Sequence, residues 1–133
     1  MPWFRIVLIA VASVVLLAVT GVIAFHSFFA CGYDAACADS GLCTTSGGAC
    51  IAGTDLDCQQ SADCRRKGRC KAVDGRCVPG SHLDCKHSEW CKDRGMCTVE
   101  DNDCVAATDD DCRQSEKCIK QSQCVAKFGI CVM

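Results

Sequence analysis

The sequence has little from which a globular core is made. After Ala30 its aromatic residues are Tyr33, Trp90 and Phe128 alone, and large aliphatic side chains occur singly. Closely spaced thiol pairs are missing too, since no two cysteines stand nearer than six residues. That excludes the C-x2-C spacing of structural zinc, the CxxC redox motif and the CxxCH haem signature. No EF-hand ligand order with its central glycine runs through Glu100, Asp101, Asp103 and Asp109–Asp111, so these acids read as a solvated loop. Serines, histidines and aspartates are scattered without a nucleophile elbow or an activated pair. Catalysis is not expected, and no cofactor or metal is assigned.

What is present is sulfur on a lattice. Sixteen cysteines stand at Cys31, Cys37, Cys43 and Cys50; Cys58, Cys64, Cys70 and Cys77; Cys85, Cys91, Cys97 and Cys104; and Cys112, Cys118, Cys124 and Cys131. Steps of 6, 6, 7 and 8 give a period of 27 residues, read four times without insertion. A fixed period in this range marks a tandem array. The units are 31–57, 58–84, 85–111 and 112–133, after a leader over 1–30. A unit this short cannot bury enough surface to fold without cross-links. Two disulfides per unit, at about 3 kcal/mol each, supply what the core cannot. The even count points to an oxidising compartment outside the cytoplasm.

The leader contains the one long apolar run, Ile6–Phe25, without charge. Twenty residues match a bilayer core of roughly 30 Å, so the run reads as a signal anchor, with a cleaved signal peptide as the alternative. Val19-Thr-Gly21 and Val22-Ile-Ala24 are passable cleavage sites. Phe28-Phe-Ala-Cys31 also ends like a lipobox, but lipidation there would strand one cysteine. Arg5 precedes the run, and no Lys or Arg follows until Arg65. The positive-inside bias then leaves the array outside the cytoplasm, membrane-anchored or secreted.

The four copies can be compared with one another. Asp34, Ser61, Ser88 and Ser115 follow each first cysteine at the same distance and suit a helix N-cap. Gly41, Gly68, Gly95 and Ser122 suit a left-handed helix end, with Ser122 breaking the pattern. A helix of about seven residues is expected between them. Gly48, Gly75, Asn102 and Gly129 tolerate positive φ and fit a hairpin whose three-residue loop ends in a left-handed residue. In the second unit that places strands near 69–72 and 76–79, pairs Cys70 with Val78 and Cys77 with Lys71, and turns the two cysteines to opposite faces. They should not bond each other. First–third with second–fourth, or first–fourth with second–third, both remain, the former preferred. The array starts on a first cysteine and stops two residues after a fourth, so bridges are expected within units. Thr54, Ser81 and Thr108, each three residues before an aspartate, resemble capping boxes that begin a short connector helix. The fold class is therefore a small disulfide-rich repeat protein: four short-helix plus β-hairpin units after an N-terminal hydrophobic helix.

The recurring Asp-Cys-x-x-Ser-x-x-Cys-x-x-x-Gly-x-Cys-x6-Cys resembles tandem cysteine-rich repeats of predicted exported bacterial proteins, across about Cys31–Met133. That resemblance implies no particular activity. The first unit departs from it, with Ala30 for Asp and Asp34 for Ser. The opening Cys-x-x-Ser-x-x-Cys is also similar to whey-acidic and colipase-like modules, but their adjacent cysteine pairs are absent here.

Charge is segregated by unit, −4, +3, −5 and +3 in order. Such alternation leaves independent solvated faces, holds neighbouring units together, aligns chains head to tail or presents local patches. The densest basic run is Arg65, Arg66, Lys67, Arg69 and Lys71, a candidate patch for an anionic surface ligand. No aromatic residue is interleaved with it, which argues against nucleic acid. Tyr33, Trp90 and Phe128 are expected to cover disulfides; an exposed Trp90 would instead be a contact anchor. The expected role is an extracytoplasmic scaffold or interaction module with an unknown protein or surface partner, attached through residues 6–25 if uncleaved. The alternative is a secreted inhibitor or toxin-like effector presenting hairpin loops.

Overall fold

The computed structural model describes residues 9–16 and 31–133. Contacts divide the chain into Met1–Ala30 and a compact unit Cys31–Met133. The apolar run 6–25 and both cleavage motifs lie largely or wholly outside the described residues. Within the leader, residues 9–16 are helical and exposed, with the Ser13 hydroxyl donating to the Ile9 carbonyl at 2.8 Å. No helix among the described residues is long and apolar enough to cross a membrane.

The array is built as a repeat of helix and hairpin. The principal helices are Ala35–Ser40, Ala62–Lys67, Glu89–Arg94 and Glu116–Gln121. Each begins at the expected cap: Asp34, Ser61, Ser88 and Ser115 accept from a helical N–H. Each ends on a left-handed residue, Ser122 included at φ 57°. The fourth helix therefore ends like the others, and the expected exception does not occur.

Connector helices Asp55–Gln59, His82–Lys86 and Asp109–Arg113 start on complete capping boxes at Thr54, Ser81 and Thr108. They do not run on into the principal helices, because the intervening serine caps are extended. The first cysteine of units two to four lies inside a connector helix, which docks on the hairpin that follows it.

Each hairpin is a separate two-stranded antiparallel ladder. The second pairs Lys71 with Val78, Ala72 with Cys77 and Val73 with Arg76. This corrects the expected register by one residue. The loop has two residues, not three, and both take positive φ: Gly47-Gly48, Asp74-Gly75, Asp101-Asn102 and Phe128-Gly129. That is the I′ geometry, whose twist matches the strands it joins. The strands are correspondingly shorter, and Cys70 lies before the ladder rather than in it.

All sixteen cysteines are bridged, within units. The connectivity is first–fourth with second–third, the reverse of the preferred option. The reason is local. The left-handed residue after each principal helix folds the chain back, so Cys70 meets Cys64 at a Cα separation of 4.6 Å. The first cysteine, carried on the connector helix, then faces the outgoing strand: Cys58 meets Cys77 at 5.5 Å. Cys31 is bridged to Cys50, which leaves its sulfur no valence for a lipid.

Sulfur fills the interior. Among the described residues the largest side chains under 2 % exposed are five half-cystines and three capping serines. The other buried hydrophobic residues there are four more half-cystines, Cys31, Cys37, Cys91 and Cys131, with Ala52 and Ala106. Tyr33 and Phe128 are 91 % and 100 % exposed and cover no disulfide.

Successive principal helices pack side by side, and the first three helix ends rest on the long bridge of the next unit. A Cβ at Gly41 would come within 2.7 Å of Cys77 Sγ, and one at Gly95 within 2.6 Å of Cys131 Sγ. The hairpins are tied as well: Ala52 N–H donates to the Gly75 carbonyl and Ala106 N–H to the Gly129 carbonyl, both at 2.9 Å.

Candidate functional site

The second junction is built differently from the other two. Pro79 stands where Ala52 and Ala106 stand at the others, and it has no N–H to donate to the next hairpin turn. In place of the backbone bond, the Arg69 guanidinium reaches both oxygens of Asp103 at 3.3 and 3.2 Å. The positions matching Arg69 and Asp103 at the other junctions are Leu42 with Arg76 and Met96 with Ile130, which cannot form this pair. Arg69 also lies 3.9 Å from Asp63. Beside it, Lys67 pairs with Asp63 at 2.8 Å and stands 5.6 Å from the Trp90 ring centre. Arg94 lies over the same ring at 4.8 Å. Trp90 is thus half-buried between two cations, part of the joint between units two and three.

The basic run is thereby divided. Lys67 and Arg69 hold the joint, whereas Arg65, Arg66 and Lys71 are exposed. The charge alternation contributes here, because a basic unit meets an acidic one through Arg69 and Asp103. A cleft of about 530 Å³ opens beside this pair, lined among others by Arg69, Asp74, Arg76 and Asn102. Arg76 is exposed. With Arg69 engaged by Asp103, Arg76 and Asn102 offer the cleft's donors, beside the Asp74 carboxylate.

The acidic residues do not gather. Asp103 is taken by Arg69, and Asp109 and Asp110 by Arg113 at 3.8 and 2.7 Å. Asp111 accepts from the Ala107 and Thr108 amides and the Thr98 hydroxyl. No group of three His, Cys, Asp or Glu side chains that could hold a metal ion occurs among the described residues. At the equivalent Asp57, burial raises the carboxyl pKa. Hydrogen bonds from the Thr44 hydroxyl, the Gly53 and Thr54 amides and the Thr54 hydroxyl outweigh it and hold the group below its ordinary value. Lys120, bonded to Glu116, is held above its own.

Sequence reasoning also missed the fourth hairpin tip. Phe128 occupies a turn position filled elsewhere by Gly47, Asp74 and Asp101, at φ 52°. Comparison of the four copies at that column contained the signal. Against known proteins, no family matches the sequence, no curated protein matches it and no solved structure matches the fold.

Proposed function

We propose that this protein is an extracytoplasmic, non-enzymatic scaffold and interaction module, held at a membrane through residues 6–25. One observation carries the reading: among the described residues the largest side chains under 2 % exposed are half-cystines and capping serines. The fold therefore stands largely on residues that recur from unit to unit, and exposed positions between them, Arg65, Arg66 and Lys71 among them, are free to vary for recognition. Eight bridges fit an oxidising location outside the cytoplasm, in keeping with the resemblance to exported repeat proteins.

The test is membrane fractionation of the native protein, followed by intact mass with and without reduction and alkylation. Retention in the membrane fraction with the leader present and eight bridges supports the proposal. A soluble, leaderless product released into the medium supports the secreted effector instead, a reading favoured by the fully exposed Phe128. Extensive free thiol in the native material would overturn both.

A further inference from the structure

The fourth hairpin carries a side chain for which its own unit has no use. Phe128 makes the first half of a two-residue turn with φ 52°, a backbone region that is an outlier for a bulky residue. It is 100 % exposed, so no packing compensates. The ladder pairs Val125 with Val132, Ala126 with Cys131 and Lys127 with Ile130. Since Cys131 is buried, alternation turns Val125, Lys127, Ile130 and Val132 to the opposite face. Val125 and Ile130 are 40 % and 46 % exposed, and Met133 just beyond is 87 % exposed. The apolar surface is thus a band over strands and tip, wider than a single pocket anchor.

The strands and tip of the hairpin carry one charged side chain, Lys127, and the Asp109 carboxylate that accepts from the Ala126 N–H at 2.9 Å is itself paired with Arg113. Residues 112–133 hold four cations and one acid, Glu116. Lys120 takes Glu116, and Arg113 is held by Asp109 and Asp110. Lys127, which adjoins Phe128, has no carboxylate partner among the described residues. A band of apolar side chains with an unpaired lysine beside its tip matches the boundary between acyl chains and negative headgroups.

We infer that the fourth hairpin is a docking element for an anionic lipid surface, with Phe128 and Ile130 entering the interface and Lys127 held at the headgroups. This rests on the array being an interaction module and names the partner of its fourth unit. Cys31–Met133 is compact and contains every bridge, so it is tested without the leader, which would bind lipid by itself.

The experiment is co-sedimentation of the oxidised array with phosphatidylcholine vesicles, with and without phosphatidylglycerol. Phe128→Asn creates Asn-Gly, the preferred I′ pair, so folding is not at risk and charge is unchanged. The array should partition onto the anionic vesicles, and Phe128→Asn should lower the partition coefficient about tenfold or more. Lys127→Gln should lower it less, and added salt should weaken the wild type. Binding that Phe128→Asn leaves unchanged would overturn the inference. So would failure to bind either vesicle, in which case the tip belongs to a protein pocket. Neither failure touches the proposed function, which is decided by fractionation and bridge count.

Discussion

Ser61, Ser88 and Ser115 each use one hydroxyl twice. Ser88 Oγ donates to the Cys85 carbonyl at 2.7 Å and accepts from the Cys91 N–H at 3.1 Å, while only 1 % exposed. An aspartate cannot donate to that carbonyl, which explains why Asp34 is tolerated in the first unit, where it is exposed and no such bond is made. Ser88→Ala leaves the buried Cys91 N–H without its acceptor, while the Cys85 carbonyl keeps the Ser88 N–H at 3.0 Å, and should cost about 1 kcal/mol; denaturant unfolding with bridges intact measures it. Asp57 makes stability depend on acid. Its folded pKa is depressed, so its contribution is complete above the ordinary value of 3.8 and is lost as pH falls through the folded value. Unfolding free energy should fall below about pH 4, with a smaller slope in Asp57→Asn.

At the scale of the element, the left-handed helix end does the decisive work. Gly95 has φ 74° and a bridge sulfur where its Cβ would be, so Gly95→Ala meets backbone strain and a close contact together. It should lower stability by more than about 1 kcal/mol. Ser122 adopts the same conformation but is exposed, so Ser122→Gly should relieve strain and raise stability by a few tenths to about 1 kcal/mol. Thermal unfolding of the pair separates the two effects. The bridges differ in reach: loops of 19 residues should contribute about 3 kcal/mol and loops of 6 about 2. Removing Cys58 and Cys77 together should therefore cost more than removing Cys64 and Cys70.

Across the array, stability is a sum of units and junctions, as in other one-dimensional repeats. The second junction replaces a backbone hydrogen bond by the Arg69–Asp103 pair, so it responds to salt and the other two do not. Arg69→Ala should cost up to about 1 kcal/mol at low salt and less at high salt. Amide exchange should place the loss between units two and three. The same division explains the basic run: it reads in sequence as one patch, yet Lys67 and Arg69 are spent on the joint and Arg65, Arg66 and Lys71 remain for a ligand. Adjacent residues on a short helix and strand point in different directions, and only the position of the next unit decides which are covered.

The repeat, its period and its caps were legible because each is a local demand. A serine at a helix start, a capping box at Thr54, a positive φ at Gly75 and a thiol every few residues state their own requirements, whatever surrounds them. The reversed bridge pairing, the one-residue shift of the hairpin, the ordinary helix end at Ser122 and the exposure of Tyr33 and Phe128 were not legible. They depend on where the folded-back chain and the neighbouring unit come to lie, and spacing along the sequence does not specify distance through space.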